Sequence, residues 1–351
     1  MTATRTPKRI LLFVLALCLM LPLLTSAEDT TLDLSGKPVG DVQGLIATLA
    51  QKPGLTRVNL DKSGLSLPDM KLLVDTYPNI AFYWTLDMFG IPVTSDDTYI
   101  DLGKTKIERL SQLKAYLDVL PRLTRIDMFG TRLQTKAGIQ LFEEYPHIRF
   151  GATIWLYHRN MRTDTEVVSL HYRRQPEYKS RDFEALKYFP DVRALDLGHN
   201  DITDVSFLRY MPKLRVLILA DNLITDITPI ADLKELYFLE LFMNKITDVS
   251  PLANLPELLD LNLCYNNIQD ATPLLTLTQM ERCWFSHANL PKDQQEMLVA
   301  GLPNCEFNFT VRLATHDGWR EHPRFPVLRQ SLNSGIYTDW PVEEPEKEAA
   351  Q

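Results

Sequence analysis

The 351-residue chain has only four cysteines, and one of them, Cys18, sits inside an N-terminal apolar run. The other three, Cys264, Cys283 and Cys305, are an odd number that cannot form a closed disulfide set, and their spacing matches no zinc pattern. Catalytic motifs are missing as well. No HExxH, G-x-S-x-G or Walker-type loop occurs, and the histidines His147, His158, His171, His199, His287, His316 and His322 are scattered. No enzyme, cofactor or metal site is expected on these grounds. Basic charge is in deficit, with 37 Lys and Arg against 45 Asp and Glu, which argues against nucleic acid or an anionic membrane surface as partner. Beyond the N-terminus there is no second long apolar run and no LPxTG-like sorting motif, so neither a membrane span after the signal nor a C-terminal anchor is expected.

What is present begins at the N-terminus. Arg5, Lys8 and Arg9 precede an apolar run from Ile10 to Leu24, and Thr25-Ser26-Ala27 offers a small-residue cleavage site, so residues 1–27 read as a secretory signal. An uncleaved anchor and a lipidated Cys18 are the competing readings. Cleavage would remove three basic residues and no acidic ones, leaving 34 against 45 and a formal charge of −11. Residues 341–351 are acidic and poor in large apolar side chains, the composition of a disordered tail.

Between these ends lies a strict repeat. Asn200, Asn222, Asn244 and Asn266 recur every 22 residues, each preceded by a Leu-x-Leu pair and followed by an Ile-Thr-Asp-like run, from Val192 to Gln279 without insertion or deletion. A fixed short period marks a solenoid. The pairs Leu195/Leu197, Leu217/Leu219, Leu239/Leu241 and Leu261/Leu263 are too few per coil to be buried alone. Stacked at about 4.8 Å in a parallel sheet they form internal columns. The asparagine amides suit the backbone left unpaired where the chain leaves the sheet. Asp204, Asp226, Asp248 and Asp270, followed by Pro229, Pro251 and Pro273 in three coils, suit the start of a short helical turn on the far side.

The resulting LxxLxLxxNxITDxxPLxxL pattern resembles the leucine-rich repeats of internalin-like bacterial secreted proteins, over about a quarter of the chain. The resemblance implies an α/β solenoid: a curved parallel β-sheet on the concave face, short helical or 3-10 segments on the convex face, and a concave surface that binds another macromolecule.

Upstream, a weaker repeat has a period of 68: Leu55–Leu65 aligns with Leu123–Leu133, Thr76–Ile80 with Glu144–Ile148 and Thr98–Leu102 with Glu166–Leu170. Helix-like runs fall at Leu67 to Asp75, Ile107 to Leu120, Gly138 to Glu143 and Asp182 to Phe189. A hairpin is expected from Trp84 to Thr98, with a looser equivalent from Thr153 to Thr165. Prolines from Pro53 to Pro303 punctuate both halves, so the expected organisation is a signal (1–27), helix-containing repeat-like coils in two 68-residue units (28–190), regular repeats with a last coil (191–310), a C-terminal cap (311–340) and the acidic tail (341–351). An independent α+β cap upstream is the alternative.

Residues alternating with the inward leucines face the concave side. Val216, Ile218, Phe238, Phe242, Met243, Tyr265 and Trp284 would then form one apolar patch, with Asp196, Glu240, Asp260 and Arg282 around or between them and His287 at one end. An exposed apolar patch rimmed by charge is the signature of a protein interface. His199 and His287 lie four coils apart, about 19 Å, too far to share a metal. Gly318-Trp319-Arg320-Glu321-His322-Pro323-Arg324-Phe325 suits a cap, with Trp319 and Phe325 sealing the last coil and the arginines pairing to carboxylates of the preceding coil. The function these features predict is a secreted or cell-surface leucine-rich-repeat module that binds another protein. The alternative is a structural or glycan-binding envelope component without a host partner.

Overall fold

The computed structural model describes residues 30–156, 159–171 and 178–340. The expected signal (1–27), the acidic tail (341–351) and His158 lie outside the described residues. The chain divides into two compact units, residues 1–85 and 86–351.

In the first unit, β1 (Thr31–Asp33), β2 (Arg57–Asn59) and β3 (Ala81–Tyr83) form a parallel sheet in that order. The crossovers are α1 (Val42–Ala50) and α2 (Leu67–Thr76). Asp41 starts α1 by accepting from the amides of Gln43 and Gly44 at 3.0 Å, and Ser66 with Asp69 closes a capping box on α2. Val58, Leu60, Leu73 and Phe82 are buried.

A hairpin of β4 (Thr85–Met88) and β5 (Ile91–Thr94) follows, all but Thr85 in the second unit. Its turn residues Phe89 and Gly90 have φ of +58° and +86°, as a two-residue hairpin loop requires. Next, β6 (Tyr99–Asp101), β7 (Arg125–Asp127) and β8 (Arg149–Gly151) form a parallel sheet, with α3 (Leu110–Leu117) and α4 (Thr135–Glu144) as crossovers. The second expected hairpin is β9 (Thr153–Leu156) paired antiparallel with β10 (Arg159–Arg162). It separates β8 from a seven-stranded parallel sheet: β11 (Val167–Ser169), β12 (Ala194–Asp196), β13 (Val216–Ile218), β14 (Phe238–Glu240), β15 (Asp260–Asn262), β16 (Arg282–Trp284) and β17 (Glu306–Asn308). Two helices complete the unit, α5 (Lys292–Gly301) before β17 and α6 (Arg324–Ser334) after it.

The large sheet has the expected phase. Leu195, Leu217, Leu239, Leu261 and Cys283 stand in register on consecutive strands, and all five are fully buried. Each buried leucine is worth about 1.5–3 kcal/mol of transfer free energy. The asparagines form a satisfied ladder. Asn222 Nδ2 donates to Leu219 O at 3.1 Å and to Leu197 O of the preceding coil at 3.0 Å, while Oδ1 accepts from the Ile202 amide at 3.0 Å. Asn244 and Asn266 repeat this arrangement. At the start of the ladder, Asn200 donates to Leu170 O and Leu197 O, but its Oδ1 has no hydrogen-bond partner among the described residues. On the opposite side each coil turns through a 3-10 segment: Ser206–Tyr210, Thr228–Asp232, Ser250–Asn254 and Thr272–Thr276. Asp204, Asp226, Asp248 and Asp270 accept from the first amide of these turns at 2.8, 2.8, 2.8 and 2.9 Å.

Cys283 belongs to the leucine core and Cys264 to a separate apolar cluster on the other face of the sheet. Burial pushes the Cys264 and Cys305 thiols up to about 12.

Candidate functional site

The face of the large sheet turned away from the leucine columns carries Ala194 and Asp196, Val216 and Ile218, Phe238 and Glu240, Asp260 and Asn262, Arg282 and Trp284, strand by strand. All ten are buried. They are covered by residues 311–340, which run back across the sheet as a strap containing α6.

The strap is held by polar and aromatic contacts to several of these side chains. Ser286 Oγ donates to Val311 O at 2.8 Å, and Asn262 Nδ2 donates to Ala314 O at 2.6 Å. Trp284 Nε1 donates to His316 O at 3.2 Å. Trp319 inserts fully between Phe238 and Trp284, with ring centroids 5.5 and 5.2 Å away, and its indole N–H donates to Glu240 Oε1 at 2.6 Å. Arg320 reaches the same carboxylate at 2.7 Å. Burial pushes the Glu240 carboxyl above its ordinary value, against the pull of Arg320 and the indole. Asp260, fully buried, takes Arg282 on one oxygen at 2.8 Å and Arg324 on the other at 2.6 Å, and Arg324 also binds Glu281 at 2.7 Å. Further along, Asp339 pairs with Arg215, and Tyr337 donates to Asp339 at 2.9 Å.

This arrangement corrects the exposure expected of five patch residues. Val216, Phe238 and Trp284 are 0% exposed, Ile218 7% and Phe242 6%. The apolar surface that the sheet presents is consumed within the chain, because Trp319 and the Leu328 face of α6 fill it. Glu240, Asp260 and Arg282, expected from the sequence as rim charges, are buried sockets of the strap, as is Asn262, while Asp196, expected with them, is buried against His171 and the Gly198 amide. Their signal was legible as complementarity, since two acids facing outward in an apolar field match Arg320 and Arg324. The arginines do pair with carboxylates, but Trp319 lies against the middle of the sheet, not over its last coil.

Three of the expected residues stay accessible. Met243 and His287 are exposed and Tyr265 is half-buried. Together with His199 and Asp221 they form a row just beyond the C-terminal ends of β12–β16, one residue before each ladder asparagine or its equivalent. All five sit in the left-handed region, with φ of +60°, +54°, +57°, +56° and +56° for His199, Asp221, Met243, Tyr265 and His287. That conformation costs an L-residue with a Cβ about 1–2 kcal/mol. Within the row, His199 Nδ1 lies 2.8 Å from Asp221 Oδ2, and the Tyr265 and His287 rings stack with centroids 4.5 Å apart. Tyr265 also donates to Arg312 O at 3.2 Å, tying the row to the strap.

Among the described residues no group of three or more His, Cys, Asp or Glu side chains is placed to hold a metal ion, and no helix is long and apolar enough to cross a membrane. Ser169 Oγ and Asp196 both approach the same nitrogen of His171, at 3.1 and 2.9 Å, which is not the two-sided geometry of a nucleophile–base–acid relay.

No curated protein matches the sequence. Solved structures to which the chain is similar include an internalin from Listeria monocytogenes, 20% identical over 84% of each chain with a TM-score of 0.39. Internalin C2 of the same organism is 22% identical over 69% of this chain and 92% of the other, TM-score 0.38. An LRR protein of Leptospira interrogans is 19% identical over 74% of each chain, TM-score 0.38. A family model described as Leucine Rich repeats (2 copies) matches residues 190–235. Those residues hold β12, β13 and their 3-10 turns, and the coils that follow repeat their register and asparagine ladder, so the fold is that of a leucine-rich-repeat solenoid.

Proposed function

We propose that this chain is a secreted or cell-surface recognition module that binds another protein, and that its partner contacts are made along the row of His199, Asp221, Met243, Tyr265 and His287. The observation that carries this reading is the accessibility of that row beside a sheet whose outward strand residues are buried. Val216, Ile218, Phe238, Phe242 and Trp284 then act as the strap's seat. Aromatic, thioether and imidazole groups at one spacing are the chemistry that dominates protein interfaces, and holding them in left-handed backbone projects them clear of the sheet. The export part of the proposal rests on the sequence of residues 1–27.

The test uses the chain without residues 1–27 as bait, beside a Met243→Ala/Tyr265→Ala/His287→Ala variant. Loss of a captured partner with an unchanged melting curve supports the row. A partner retained equally by the triple variant sinks the proposal, and one captured only after Trp319→Ala loosens the strap would return the site to the covered face.

A further inference from the structure

Between α6 and the outward face of β12–β14 the structure leaves a cleft of about 400 Å³, within the usual range for small-ligand sites. Its existence follows from the repeat. The position two residues after the second outward residue of each strand is Phe242 in one coil and Cys264 in the next, but Ala220 and Gly198 in the two before them. Small side chains there leave the floor open, and Phe242 closes one end. A Cβ on Gly198 would meet Asp196 Oδ1 at 3.3 Å and Ala220 O at 3.4 Å, so the coil permits little bulk at this point.

The opposite wall is one stripe of α6. Phe325, Arg329, Leu332 and Asn333 stand at helical spacing and all line the cleft. The lining therefore combines an apolar bed, Ile218, Phe242, Phe325 and Leu332, with polar groups whose capacity is unequally spent. On the acidic side, Asp196 accepts from the Gly198 amide at 3.0 Å and meets His171 at 2.9 Å, while both Glu240 oxygens are taken by Trp319 and Arg320. On the donor side, Arg329 and Asn333 are exposed at the mouth. His199, also in the lining, has its Nδ1 2.8 Å from Asp221 Oδ2. The two lining carboxylates are thus already paired, while the Arg329 guanidinium stands exposed at the mouth.

We propose that this cleft binds an apolar body carrying a carboxylate, seated on Ile218, Phe242 and Phe325 with its carboxylate on Arg329. That chemistry is shared by a free aromatic acid and by the hydrophobic C-terminal residue of a peptide. The site shares His199 with the exposed row, but its apolar bed and Arg329 lie outside that row, and it does not depend on the row having a protein partner.

Isothermal titration calorimetry on the full chain tests it with four probes: 3-phenylpropionate, 3-phenylpropanol, N-acetyl-Ala-Phe, and the C-terminal amide of that dipeptide. One or both acids bind, and the matching neutral probe binds at least tenfold more weakly, because a charge-assisted contact to Arg329 is lost. Arg329→Gln, at an exposed position, produces a similar tenfold loss for the acids and none for the neutral probes. Ala220→Leu fills the floor and removes binding; circular dichroism shows whether that variant keeps its fold, and Arg329→Gln decides if it does not. Binding by 3-phenylpropionate alone assigns a free acid, and binding by the dipeptide alone assigns a chain end. Equal binding of acids and neutral probes, indifference to Arg329→Gln, or no binding of either acid at about 1 mM overturns the proposal.

Discussion

Replacing Trp319 with alanine tests whether the strap is an integral part of the fold. The indole is completely buried between Phe238 and Trp284, its N–H donates to a fully buried carboxylate 79 residues away, and the Arg282 guanidinium stands 4.9 Å from its ring centroid. Truncating a buried Trp costs about 3–5 kcal/mol in lost transfer and cavity energy. A hydrogen bond to a charged group adds about 1.5–3 kcal/mol, part of which Arg320 retains by staying on Glu240. The total is about 5 kcal/mol, comparable to the whole stability of a marginal domain. Trp319→Phe keeps most of the packing and loses the N–H, so it should cost about 2 kcal/mol. Urea unfolding followed by far-ultraviolet circular dichroism measures both, and limited proteolysis reports whether residues 311–340 become cleavable. A Trp319→Ala midpoint equivalent to less than about 1 kcal/mol, with no new cleavage in the strap, would refute the reasoning, because a side chain so placed cannot be removed cheaply.

The asparagine ladder predicts a gradient. Asn222→Ala orphans the Leu197 and Leu219 carbonyls and the Ile202 amide and should cost about 3 kcal/mol, whereas Asn200→Ala, whose Oδ1 has no partner among the described residues, should cost measurably less in the same unfolding assay. Thiol titration at pH 8 should find Cys264, Cys283 and Cys305 nearly unreactive in the native protein and rapidly reactive in denaturant, since burial raises all three thiols and suppresses the thiolate. Fast native labelling of Cys264 would contradict its place under the strap. Glu240 has a folded-state pKa raised above its unfolded value, so the native state holds its proton more tightly. The stability it contributes is complete below the unfolded carboxylate range, about 4.3, and falls as pH rises through the folded value. Glu240→Gln should flatten that slope, and an unchanged slope in pH-dependent unfolding would exclude Glu240 as its source.

How much was legible varies residue by residue. The four ladder asparagines, the Leu-x-Leu pairs and the aspartates that open the 3-10 turns were all readable, because each satisfies its own coil or the neighbouring one, and a period of 22 repeats that local requirement in register. Both hairpins and α2, α3 and α4 fell where the 68-residue repeat and helical apolar spacing put them, whereas α1 was not expected and the run from Asp182 to Phe189 forms a 3-10 segment, Ser180–Tyr188. The accessibility of the outward residues was not readable. Phe238, Phe242 and Trp284 have the composition of an exposed interface, and periodicity alone does not distinguish a surface kept for a partner from one matched to a segment of the same chain. The segment that covers them has no repeat of its own, and its key contacts, Trp319 to Glu240 and Arg324 to Asp260, span many coils.

Local order along this chain is therefore written in its period. The coil, the phase of its strands and the turn that closes it arise from backbone hydrogen bonds and leucine burial between residues about one repeat apart. The fate of the outward face depends on long-range packing, in which a Trp and two arginines find carboxylates and aromatic rings that only folding brings within reach. That is why Met243, Tyr265 and His287 remain accessible while Phe242 and Trp284, indistinguishable from them in composition, lie inside the protein.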